Sequence, residues 1–160
     1  MEIETGKFEK KEELYEHMNK SLILLLKESS NLISNLSNAS ALVKLFLQDI
    51  NWAGFYLMDN GALTLGPFQG KPAVTKINLG EGVCGASAAA KKTQRVDDVH
   101  ACSNHIACDL ASSSEIVVPI IKDGQVLGVL DIDSPLMARF DAEDETGLEL
   151  IVKTLLTAFL

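Results

Sequence analysis

The chain has no surplus of positive charge, no long apolar run and no framework of paired cysteines, and each absence removes a class of function. Lys and Arg number 14 against 22 Asp and Glu, a formal net charge of −8. Nucleic acids and anionic membrane surfaces call for a basic footprint, so neither is the expected partner. The longest apolar run, Leu22 to Leu26, is far too short to span a bilayer. The first residues, Met1-Glu2-Ile3-Glu4, lack the basic and apolar regions of a secretory signal, and the cytoplasm is the expected compartment. Only three cysteines occur, Cys84, Cys102 and Cys108, and an odd count in a reducing compartment fits a disulfide scaffold poorly. They are left as buried thiols, metal ligands or reactive thiols. What remains is an ordinary globular composition, 47% hydrophobic and 22% charged. Its 160 residues suit one domain with one substantial core.

Periodicity divides the chain near residue 48. Leu14, Met18, Leu22, Leu25 and Leu26 recur at helical spacing in a Lys/Glu-rich segment. A second helix, capped by Ser30 or Asn31, would carry Leu32, Ile33, Leu36, Leu42, Leu45 and Phe46. These helices are expected to pack on a sheet or to form a homodimer interface. From Ile50 the pattern becomes that of strands. Asn60-Gly61 between two apolar runs is a hairpin signal, and Ala73 to Leu79 alternates as a third strand. Cys84 to Lys92, Ala-rich and opening after Gly80-Glu81-Gly82, reads as a short helix. A polar stretch, Asp97 to Ser114, holds two of the three histidines and two of the three cysteines, and loops of that length are often functional. A second hairpin turns at Asp123-Gly124, and Asp141 caps a last helix. The expected fold is α+β: one domain over residues 1–160, helices on one face of an antiparallel sheet and a pocket on the other.

Three acids fall within the second hairpin. Asp131 and Asp133 lie two apart on a strand and so project from one face. If the hairpin is in register, Glu115 lies opposite them. Burying three carboxylates is costly unless they bind a cation or share protons; a sheet face simply left wet would give the same pattern. Trp52, Gly54 and Tyr56 share one face of the first strand, where a small residue between aromatics leaves room for a cavity. Cys108, in His105-Ile106-Ala107-Cys108-Asp109, combines a thiol with histidine and acid neighbours, the setting of a tuned nucleophile. Cys84 sits at a helix N-terminus, whose dipole favours a thiolate. Cys102 has no distinctive neighbours. The set His100, Cys102, His105 and Cys108 matches no common structural zinc spacing, and no metal is expected. Gly80-x-Gly82-x-x-Gly85 fits the dinucleotide glycine pattern formally but lacks its βαβ context.

Six segments taken together resemble the free methionine-R-sulfoxide reductases, a branch of the GAF domains. They are Asn51-Trp52-Ala53-Gly54-Phe55-Tyr56, Leu65-Gly66-Pro67-Phe68-Gln69-Gly70, Gly82-Val83-Cys84-Gly85, His105-Ile106-Ala107-Cys108-Asp109, Ser114-Glu115-Ile116-Val117-Val118-Pro119 and Gly128-Val129-Leu130-Asp131-Ile132-Asp133-Ser134. The resemblance implies that Cys108 attacks the sulfoxide sulfur of free methionine sulfoxide and becomes a sulfenic acid. A second cysteine then closes a disulfide, which thioredoxin or a similar dithiol reduces, with no bound cofactor. It implies too that Glu115, Asp131 and Asp133 are the acids of the site and that Trp52 and Tyr56 line the pocket; on chemical grounds Glu115 and Asp133 are expected near the oxygen and Asp131 at the substrate ammonium. Relatives commonly carry a third cysteine where this chain has Val74, so the resolving thiol is Cys84 first and Cys102 second, with direct reduction of the sulfenic acid third. The alternative from another class is a GAF module that binds a small ligand without turnover, or that senses redox state through a Cys84–Cys108 disulfide.

Overall fold

The computed structural model describes residues 2–101 and 111–159; Cys102, His105 and Cys108 lie outside the described residues. The order is α1 (Lys11–Glu28), α2 (Leu32–Phe46), β1 (Trp52–Asp59), β2 (Ala62–Gln69), β3 (Lys76–Asn78), α3 (Gly82–Ala90), β4 (Gln94–Val96), β5 (Ser114–Lys122), β6 (Gln125–Ser134) and α4 (Ala142–Leu155). The six strands form one antiparallel sheet in the order β3-β2-β1-β6-β5-β4.

Local chemistry sets most of these boundaries. The Asn31 side chain accepts a hydrogen bond from the Ser34 N–H at 3.0 Å and starts α2. Asp141 and Asp144 form a reciprocal capping box at the head of α4. Both hairpin turns place two residues at positive φ, Asn60 and Gly61 in one and Asp123 and Gly124 in the other, the twist that suits right-handed strands. One expectation needs correction, and one strand is unanticipated. The third strand covers only Lys76–Asn78, because Gly70 to Thr75 runs as a connection whose carbonyls are taken by side chains of β1. Between α3 and the polar stretch that begins at Asp97, the sheet gains an edge strand, β4, too short to show a period-two pattern.

The two sheet faces bury different clusters. Ala53, Phe55, Ile116, Val118, Leu130 and Ile132 point to one face and pack with α1, α2 and α4. Within α1 the buried stripe is Tyr15, Met18, Leu22 and Leu25; in α2, Ile33 and Leu45 turn outward instead of joining the core. Tyr15 donates to Asp144 at 2.7 Å, and Lys11 and Arg139 reach the same carboxylate, so α1 and α4 are tied by a buried polar cluster. The opposite face carries Trp52, Tyr56, Val117 and Val129 and is covered by α3 through Val83, Cys84 and Ala88, with Ala73 packed beside them. Helices stand behind the sheet and one short helix closes a pocket in front. Among the described residues no helix is long and apolar enough to cross a membrane.

Candidate active site

Strand register assembles the pocket. Trp52 stands opposite Asp133, and Gly54 opposite Asp131, across the β1–β6 pair. Glu115 stands opposite Asp133 across β5–β6. Directly opposed residues share a face, so Trp52, Asp133 and Glu115 form one row and Gly54 and Asp131 the next. Neither row follows from turn geometry alone. Continuing the pairing nearest the Asp123–Gly124 turn would set Glu115 against Ile132; a bulge between Ile120 and Ile121 shifts the register by one and brings it to Asp133. A second bulge between Gly54 and Tyr56 brings Phe68 opposite Gly54. There Phe68 stacks on Trp52, ring centroids 5.1 Å apart, and Trp52 stacks in turn on Tyr56 at 6.0 Å. Gly54 is needed at this point, because a Cβ would overlap the Phe68 Cβ.

The pocket roof is the first turn of α3. Gly85 packs against the Asn78 carbonyl so closely that a Cβ would collide with it, which draws the helix onto the sheet and drives Cys84 inward. The glycines of the formal dinucleotide pattern thus serve a tight strand-to-helix junction in an antiparallel sheet. Cys84, Glu115, Asp131 and Asp133 are each at least nine-tenths buried and line a common cavity with Tyr56, Ile77, Gly82 and Val83. One ligand atom each from Cys84, Glu115 and Asp131 lies within 4.8 Å of the others. The free space is about 10 Å³, enough for one water-sized body.

This crowding decides ionisation. Burial, reinforced by Asp131 and Glu115, pushes the Cys84 thiol well above its usual range. The expectation that the helix N-terminus favours its thiolate is therefore overturned: a dipole worth at most roughly 2 kcal/mol is outweighed by full desolvation among carboxylates. Burial, then the facing Glu115, likewise raises the Asp131 carboxyl well above the ordinary carboxylate range. The wet-face alternative does not hold, since all three acids are buried.

The polar ends of the aromatics have a role the strand pattern does not reveal. Trp52 Nε1 donates to the Lys71 carbonyl at 3.1 Å and Tyr56 Oη to the Val74 carbonyl at 2.9 Å. Both fasten the 70–75 connection over the pocket side, with Val74 held by its backbone. The flanks of residues 102–110 also meet near the acids. The Val99 N–H donates to the Ser113 carbonyl at 2.8 Å, Ser113 N–H to Ser134 at 2.7 Å, and Asn51 Nδ2 to Ser112 at 3.1 Å.

An antiparallel sheet backed by helices, with a polar pocket closed by a single helix in front, is the architecture of a GAF-class domain. The family model for the GAF domain matches residues 39–159. A free methionine-R-sulfoxide reductase of Escherichia coli is 48% identical over 145 residues, 91% of this chain and 88% of that protein. The protein of the same name from Saccharomyces cerevisiae is 48% identical over 151 residues, 89% of this chain and 84% of that one. The X-ray structure of free methionine-R-sulfoxide reductase from Neisseria meningitidis in complex with its substrate is 38% identical, with a TM-score of 0.94 over 99% of this chain and 95% of that one. The chain belongs to the GAF-domain family and, within it, to the free methionine-R-sulfoxide reductases.

Proposed function

We propose that this chain reduces free methionine-(R)-sulfoxide to methionine with Cys108 as nucleophile, and that Cys84 resolves the resulting sulfenic acid. The observation that carries the reading is the meeting of Cys84, Glu115, Asp131, Asp133 and Tyr56 around one buried cavity, with Trp52 stacked on Tyr56, in a chain 48% identical to reductases of that name. A zwitterionic amino acid with a polar sulfur group matches those surfaces: carboxyl groups for its ammonium, aromatic faces for its methylene and methyl groups, and acids for its oxygen.

In the first step the Cys108 sulfur attacks the sulfoxide sulfur, and the substrate S–O bond breaks. The oxygen ends as a hydroxyl on the Cys108 sulfur, which is oxidised to a sulfenic acid, while the substrate sulfur is reduced and departs as the thioether of methionine. The thiol proton ends on the transferred oxygen, and Glu115 and Asp133, adjacent in one row, are suited to carry it. Burial and Glu115 raise the Asp131 carboxyl in the substrate-free pocket, and an ammonium arriving beside it favours the charged carboxylate. In the second step Cys84 attacks the sulfenic sulfur, a disulfide forms and water leaves. A thioredoxin-like dithiol then reduces that disulfide, its two thiols becoming a disulfide in exchange. Burial keeps Cys84 a thiol, so it is a poor first nucleophile and is suited to act second. The joined flanks of residues 102–110, beside Ser134, support delivery of Cys108 to this end of the sheet.

An amino acid does not fit in about 10 Å³, so binding requires the pocket to widen. The segment suited to move is the 70–75 connection, which side-chain hydrogen bonds from Trp52 and Tyr56 hold in place.

The deciding measurement is methionine release from separate R and S epimers of free methionine sulfoxide, with dithiothreitol as reductant, for wild type and Cys108→Ser. Turnover of the R epimer alone, abolished in the variant, is the expected result. Saturable binding of the sulfoxide without turnover by fully reduced protein would make this a ligand-binding GAF module instead.

A further inference from the structure

We propose that the closed pocket is also a site for one borderline-soft divalent cation, Zn²⁺ foremost, held by the Cys84 sulfur and one carboxylate oxygen each from Glu115 and Asp131. The three donor atoms lie within 4.8 Å of one another and all three residues are buried. Ligands around tetrahedral zinc sit about 3–4 Å apart, as bonds of about 2.0–2.3 Å require, so small side-chain rotations suffice to close the site. A second observation points the same way. Asp131 is 5% exposed, yet its Oδ1 accepts no hydrogen bond among the described residues, and its carboxyl group lines the cavity. A buried carboxylate oxygen left without a donor is expensive, and a cation satisfies it directly. The free space of about 10 Å³ accommodates a single ion and excludes an amino acid.

The donor set selects the metal. One thiolate disfavours Mg²⁺ and Ca²⁺, which want cages of six or more oxygens, whereas a sulfur with two carboxylates and an open fourth position suits Zn²⁺ or Cd²⁺. This set is distinct from the His100, Cys102, His105 and Cys108 run, and the sequence hides it because its members come from α3, β5 and β6. The consequence for activity rests on the reductase reading: an ion seated there blocks both the resolving thiol and two of the acids, so Zn²⁺ competes with the sulfoxide.

The test separates binding from catalysis. Protein reduced with a phosphine, in place of a chelating dithiol, is titrated with Cd²⁺ and the ultraviolet thiolate-to-cadmium charge-transfer band is followed. The Cys102→Ser/Cys108→Ser double variant should develop the band to one equivalent. Adding Cys84→Ser should abolish it, and adding Asp131→Asn should weaken binding by roughly tenfold or more, since even indirect metal partners are worth about that much. Asp131→Asn preserves the side-chain shape and keeps the result decisive if the Cys84 variant folds poorly. Absence of the band in the double variant, or affinity indifferent to Asp131→Asn, overturns the site. These outcomes do not depend on turnover. With wild type, Zn²⁺ should raise the apparent KM for the sulfoxide without lowering kcat; inhibition that excess sulfoxide fails to relieve overturns the proposed competition.

Discussion

Glu115 on β5 stands directly opposite Asp133 on β6, and the one-residue bulge between Ile120 and Ile121 is what sets it there. Because side chains alternate along a strand, that single extra residue decides whether Glu115 faces the pocket or the hydrophobic layer occupied by Ile116 and Ile132. The pairing makes the two carboxyl groups a unit. Glu115→Gln and Asp133→Asn should each lower kcat by about 10²-fold or more, within the range typical of positioned acid–base groups. The double variant should lose less than the product of the two, which a steady-state double-mutant cycle measures.

Cys84→Ser separates the two thiol steps. A single turnover with the reduced variant should still release one equivalent of methionine, while non-reducing mass spectrometry finds no intramolecular disulfide involving position 84. Loss of the first equivalent would reverse the assignment and make Cys84 the nucleophile.

Asp131 should make the fold weaken as pH rises. Its folded carboxyl pKa is raised, chiefly by burial and then by Glu115, so its contribution to stability is complete below the unfolded value, about 3.9, and is lost as pH climbs toward the folded value. Asp131→Asn removes this dependence. In thermal melts the variant should therefore gain on wild type as pH is raised from about 4 to 8, with a Tm advantage of a few degrees at the upper end. Equal melting differences across that range would contradict a raised Asp131 pKa.

Gly54→Ala tests the pocket wall. The new methyl overlaps the Phe68 Cβ and presses on the Pro67 carbonyl, so the Phe68–Trp52 stack must separate. Overpacking of this kind costs about 1–3 kcal/mol. KM for the sulfoxide should rise more than kcat falls, and tryptophan fluorescence should shift because Trp52 is the only tryptophan.

Tyr15→Phe is the complementary control, far from the pocket on the other side of the sheet. It removes the 2.7 Å hydrogen bond to the buried Asp144 and leaves that carboxylate to Lys11 and Arg139. A loss of about 1–3 kcal/mol in stability is expected, with kcat/KM unchanged at temperatures where the protein is folded.

The helices, the two hairpins and the composition of the pocket wall are legible in the order of residues, because these depend on neighbours close in the chain. Asn60-Gly61 and Asp123-Gly124 demand positive φ, Asn31 and Asp141 cap helices through adjacent N–H groups, and even spacing, two and four residues, puts Asp131 with Asp133 and Trp52 with Tyr56. Tertiary structure alone decided what those residues become. The bulges in the β1–β2 and β5–β6 pairs select which of Glu115 and Phe68's neighbours meet across the sheet, and no local periodicity encodes an extra residue. The short edge strand β4 exists only because β5 offers it an unpaired edge. The tilt of α3, set where Gly85 touches Asn78, buries Cys84 among three acids and reverses the ionisation that its helix position alone would favour. Burial and like charge act through space among α3, β5 and β6, and they outweigh the dipole of a helix that the linear sequence correctly locates.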